Sequence, residues 1–188
     1  MSSPISTCIA NYNQLLNTKY IFIVGRKGET CELSIVFDKY DFFHLAGLHY
    51  LTDIRQLHGS REKIYDKIAA GIISSKLIEC SAHYPKIKSR IDSLSELATL
   101  LESEKLIFRF NNSSSATTSI KHDYLIELKK YDLPRYFFIK ELSDSEFHGI
   151  SLFPADYKDY TIGETRWTLL KASKFVDLYV SPSYIPER

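Results

Sequence analysis

Five short runs in the second half of the chain constrain its fold most: "KLIFRF" (105–110), "IKHDYLIEL" (120–128), "RYFFIKEL" (135–142), "FHGISLF" (147–153) and "TRWTLLKA" (165–172). In the first run Leu106, Phe108 and Phe110 alternate with Ile107 and Arg109, the period of a strand. In the last, Trp167 and Leu169 alternate with Arg166 and Thr168, which predicts a strand within the sheet and a buried Trp167 facing the helices. The chain is rich in aromatic residues, with 13 Tyr and 11 Phe, and such side chains suit pleated, half-buried surfaces.

The first half is mixed. "YIFIVG" (20–25) and "CELSIVF" (31–37) flank the glycine-containing "GRKGET", which predicts a hairpin. Helices are expected over 5–16, over 60–71 between the cap Ser60 and the stop Gly71, and over 87–104, where Ile87, Ile91, Leu94, Ala98 and Leu101 keep helical spacing. "DFFHLAGLHYL" (41–51) reads as a further helix with Asp41 as its N-cap. The fold class is α+β: one domain over 1–180, with helices packed on a mostly antiparallel sheet. "NNSSSATTS" (111–119) is expected to be a polar loop, and 181–188 a loosely attached tail.

Bulk properties exclude several function classes. A formal net charge of +1 gives no global attraction to nucleic acid or to a membrane surface, so an anionic ligand needs a local basic cluster. Cys8, Cys31 and Cys80 are odd in number and irregularly spaced, which favours a reducing cytoplasm over a disulfide framework. The N-terminus lacks the basic and apolar regions of a signal peptide, and no stretch approaches transmembrane length. The expectation is a cytoplasmic protein with no membrane partner.

No phosphate-binding glycine loop, dinucleotide fingerprint, zinc-protease helix or nucleophile elbow is present, so no cofactor is expected. Cys80 and His83 form the one close Cys/His pair, with no second pair at zinc spacing, so no metal is expected either. His44 and His49, five residues apart, would point about 140° from each other on a helix.

Phosphodiester cleavage without a metal remains open, because RNA carries its own nucleophile, the 2′-hydroxyl. The protein then supplies a base, an acid, and cations or hydrogen-bond donors around the phosphate. Histidine suits the proton transfers near neutral pH. His44 stands in an otherwise apolar run, beside Phe42, Phe43, Leu45 and Leu48, which read as packing residues. Arg166 and Thr168 share one face of a strand, roughly 7 Å apart, and could address one phosphate. The preceding loop offers Lys158, Tyr160 and Thr161, and "IKHDY" places Lys121 and His122 on opposite faces of their strand. Each has a plainer reading. An imidazole in an apolar helix is more often a core or interface group, Arg166 can pair on the sheet surface, and Tyr160 can be a packing residue.

Two segments together resemble a known family. "FHLAGLHYL" (43–51) is similar to the F-x-H-L-x-G-L motif of the fourth phage barnase–EndoU–colicin–RelE-like nuclease family, and "LFPADYKDYTIGETRWTLL" (152–170) is similar to its later motif. The order of hairpin, motif helix, helical middle and C-terminal strands fits as well. The resemblance implies a small metal-independent RNase-type fold of the kind used by toxins and mobile elements. It matches His44 to the motif histidine, and Tyr160, Thr161, Trp167 and Thr168 to the later motif. Lys121 falls where a strand-borne basic residue is expected. The resulting expectation is an endoribonuclease with RNA as substrate and a cognate inhibitor or antitoxin as partner. His44, Tyr160, Arg166 and Thr168 are its catalytic candidates; Lys121, Lys158 and Thr161 are its substrate-binding ones. The alternative is an inactive RNA- or protein-binding module of the same fold.

Overall fold

A computed structural model describes residues 3–111, 120–130, 132–143, 145–156 and 158–176. Most of the expected loop 111–119 and the whole tail 181–188 lie outside these residues. Helix α1 (Pro4–Leu15) begins at Ser3, whose side chain accepts from the Ser6 amide, and buries Ile5, Cys8, Ile9, Tyr12 and Leu15 along one stripe. The hairpin of β1 (Thr18–Arg26) and β2 (Glu29–Val36) follows as expected. The helical segment contains α2 (Lys39–Leu45), α3 (Arg61–Ala69), α4 (Ser75–Glu79), α5 (Lys88–Ser95) and α6 (Leu97–Glu102). Strands β3 (Glu104–Arg109), β4 (Tyr124–Lys129), β5 (Arg135–Ser143), β6 (Glu146–Pro154) and β7 (Thr165–Val176) complete the chain.

The chain is α+β, but its sheet is not an open layer under helices. The strands run β1-β2-β6-β5-β4-β3-β7, and β7 pairs back onto β1 to close a seven-stranded barrel. All pairings are antiparallel except β2 with β6, which joins only Ser34–Val36 to Glu146–His148. Past that short junction α2 begins and packs on β6. Gly149 permits the approach: a Cβ there would lie 2.6 Å from the Phe137 ring and 3.2 Å from Leu45 Cδ1.

Three local expectations change. The helix over 87–104 is broken at Glu96, where φ is −108° and ψ is 3°. Ser93 and Ser95 donate their hydroxyls to the carbonyls of Ser89 and Ile91, contacts that bend helices. The N-cap of α2 is Asp38, not Asp41, and Asp41 sits in the first turn, where its carboxylate accepts the Asp38 amide at 3.0 Å. The helix also stops at Leu45, because Gly47 takes a φ of 75° and a tight turn, Leu48–Tyr50, follows.

Apolar side chains form two clusters. The larger fills the space between the helices and the inner strand positions and includes Phe42, Leu45, Leu48, Phe137 and Trp167. Trp167 is buried as expected, and β7 is paired on both sides. The smaller cluster contains Phe108, Leu125, Tyr136 and Phe138, with Phe153 and Tyr160 packed against it. No described helix is long and apolar enough to cross a membrane, and all three cysteines are free thiols.

Candidate active site

A cleft of about 350 Å³ opens where α2, the start of α3 and the β5–β6 region meet. His44 and Asp41 of α2, Arg61 of α3, His148 of β6 and Lys121 ahead of β4 all line it. His44 is half-buried, while Asp41 and His148 are buried. Phe42, Leu45 and Leu48 take the packing role expected of them, at 1% exposure or less.

His148 Nδ1 lies 2.8 Å from Asp41 Oδ2. The same carboxylate oxygen accepts the Asp38 amide, so the geometry that starts α2 also aims Asp41 at β6. This hydrogen bond raises the His148 pKa above the ordinary imidazole value against the opposing effect of burial, and the charges of Asp41, Asp38 and Glu146 add to it. His44 is pushed the other way. Burial lowers its pKa first and the Arg61 guanidinium second, with Asp41 partly opposing them. One cleft therefore holds one imidazole biased toward the charged form and one biased toward the neutral form, the pattern of an acid–base pair.

Arg61 stacks over Tyr40, with its guanidinium carbon 4.4 Å from the ring centroid. Neither Arg61 nor Lys121 has an ion-pair partner among the described residues. These two cations supply the local basic cluster that the overall charge does not.

Asp38, Asp41 and His148 each offer one ligand atom, and these atoms lie within 4.8 Å of one another. They are the group among the described residues that could hold a cation. As arranged, Asp41 Oδ2 and His148 Nδ1 are bonded to each other, and His148 Nδ1 lies 3.8 Å from Asp38 Oδ2. The spacing of Cys and His along the chain gives no hint of this group.

The other sequence candidates lie apart from the cleft lining. Tyr160 packs in the smaller cluster, 5.6, 5.5 and 5.5 Å from the rings of Tyr136, Phe138 and Phe153. Lys158 lies over the Tyr160 ring at 4.9 Å. Thr161 donates its hydroxyl to Asp159 at 2.6 Å, which closes the loop before β7. Arg166 and Thr168 are exposed on β7, beside Phe108 and Gly25 of the neighbouring strands. Of the seven candidates, His44 and Lys121 line the cleft. His148, Asp41 and Arg61 were not singled out as site residues from sequence. The available signal was His148-Gly149 inside an apolar strand, since a strand glycine marks close backbone approach.

The opposed faces assigned to His44 and His49 also change. With α2 ended at Leu45, the turn over Leu48–Tyr50 brings the two imidazoles to 5.0 Å between centroids.

Comparison with protein families now fixes the lineage. The family model described as phage-Barnase-EndoU-ColicinE5/D-RelE like nuclease4 matches residues 4–177. The chain belongs to this nuclease family. No curated protein and no solved structure matches it significantly. The match spans both segments that carry the resemblance, the one with His44 and the one from Leu152 to Leu170.

Proposed function

We propose that the chain is a metal-independent endoribonuclease that cleaves RNA through the substrate's own 2′-hydroxyl. The observation that carries this reading is the pair of histidines in one cleft with pKa values displaced in opposite directions. Neutral His44 removes the proton from the 2′-hydroxyl, and the oxygen attacks the adjacent phosphorus. Protonated His148 gives a proton to the departing 5′-oxygen. Its Nδ1 is held by Asp41, which leaves Nε2 as the donor. Arg61 and Lys121 stabilise the charge that builds on the non-bridging oxygens. The products are a 2′,3′-cyclic phosphate and a 5′-hydroxyl, with each proton accounted for by one histidine. We place this activity in the cytoplasm, where uncontrolled RNA cleavage makes a cognate inhibitor the natural partner.

Incubation of purified protein with single-stranded RNA, its 2′-O-methyl analogue and DNA, with and without excess EDTA, tests the mechanism. Mass spectrometry of the new ends should show cyclic phosphate from RNA alone, unaffected by EDTA. Cleavage of DNA, 5′-phosphate ends, or loss of activity in EDTA would contradict it; the last would point to a cation held by Asp38, Asp41 and His148. Retention of RNA without cleavage would identify a binding module.

A further inference from the structure

A strip of alternating aromatic and cationic side chains leads out of the cleft. At its inner end Arg61 lies over Tyr40 and 5.8 Å from the Phe43 ring centroid. Gly47 then turns the chain back, so that His49 sits 5.0 Å from His44 and 4.1 Å from the Tyr50 ring. At the outer end the Arg90 guanidinium lies 5.5 Å from the Tyr50 ring centroid and 5.0 Å from that of Phe153. Arg90 donates to Ser151 Oγ at 3.1 Å and has no carboxylate partner among the described residues. Tyr40 and Tyr50 remain 47% and 41% exposed, so both rings stay open to solvent.

Charge along the strip has one sign. The His49 pKa falls to about 4, through burial first and then through His44, Arg90 and Arg61, while the Phe43 carbonyl opposes the fall. With no carboxylate paired to Arg61 or Arg90 among the described residues, the strip is a surface whose anion comes from outside. Flat rings between those cations describe what the anion carries.

We propose that His49, Tyr50 and Arg90 form a subsite for the nucleotide that flanks the scissile phosphate, with its base stacked on Tyr50 and its phosphate facing His49 and Arg90. The inference rests on the cleft being the cleavage site, and it names the substrate as a single strand. A base must leave its duplex stack to lie on an aromatic ring, whereas a bare phosphate needs only the cations.

The test uses a fluorescently labelled single-stranded 2′-O-methyl oligonucleotide, which cannot be cut through the 2′-oxygen, and the matching duplex. Anisotropy titrations compare the unaltered protein with Tyr50→Ala and Tyr50→Phe. Loss of one stacked base should weaken single-strand binding of Tyr50→Ala about tenfold. Tyr50→Phe, which keeps the ring, should bind like the unaltered protein, and both should bind duplex less tightly than single strand. Equal binding by Tyr50→Ala, or duplex held as tightly as single strand, would overturn the subsite. Binding that depends on Tyr50 in a protein that cuts no RNA would uphold the subsite and remove the catalytic reading, so the two can fail separately.

Discussion

The cleft beside α2 draws on the first family-like segment and the aromatic face over β4–β6 on the second, and the fold treats the two in opposite ways. In the cleft, charged and titratable groups are left with capacity to act: Arg61 and Lys121 have no carboxylate partners among the described residues, and two imidazoles are displaced in opposite directions. On the aromatic face the polar groups serve the protein itself. Asp159 accepts from Thr161 and Tyr136, and the Tyr160 ring is enclosed by three other rings and Lys158. A motif thus marks what a fold needs for its own construction as well as what its chemistry needs, and only the three-dimensional partners separate the two.

The largest expected break in this comparison is the replacement of either cleft histidine. His44→Gln and His148→Gln should each lower the RNA cleavage rate roughly 10²–10⁴-fold with the far-UV circular dichroism unchanged. Tyr160→Phe should leave the rate intact, because the Tyr160 ring packs and its hydroxyl is given no proton to move. A Tyr160→Phe protein as inactive as His44→Gln would move the chemistry to the other face.

Asp41→Asn should act on both activity and stability. It weakens a buried hydrogen bond to an ionised group, at a cost of about 1–3 kcal/mol in chemical denaturation. It also removes the first cause of the raised His148 pKa. The acid must be protonated, so His148 sets the alkaline limb of the kcat/KM profile, and that limb should shift to lower pH in the variant.

His148 also predicts a pH dependence of folding. Its folded pKa lies above its unfolded value of about 6.5, so its contribution to stability is complete below that value. The contribution is lost as pH rises through the folded pKa. The stability gap between the unaltered protein and His148→Gln should therefore narrow as pH is raised from 6 through the alkaline limb, measured by urea denaturation at about half-unit steps.

The smallest effect is expected at the turn that brings His49 back to His44. Gly47→Ala places a Cβ 2.8 Å from Arg90 Cδ, at a φ of 75°, and should cost about 1–2 kcal/mol. Single-strand binding should fall with it, as His49 and Arg90 shift, while the His148–Asp41 pair keeps its place on β6.

Much of the fold was legible because its signals are local. Alternation in "KLIFRF" and "TRWTLLKA" is visible within six or eight residues, and both segments are strands with Trp167 buried between them and the helices. Barrel closure was not legible, since it depends on β2 meeting β6 and β7 meeting β1 across more than a hundred residues, through pairings that no short pattern encodes. The site divides in the same way. His44 stands out as a polar residue in an apolar run. His148 sits in a strand that reads as ordinary, and it becomes notable only through Asp41, 107 positions away. The predicted separation of His44 and His49 failed at Gly47, which ended the helix on which that angle depended.

Site-resolved NMR titration of the imidazoles in the free protein tests the central claim most directly. The account predicts that His148 titrates above 6.5 and His44 below it, and that Asp41→Asn brings His148 down toward the ordinary value. A His44 that titrates above His148, or a His148 indifferent to Asp41→Asn, would contradict the assignment of base and acid and the role of the cleft that rests on it.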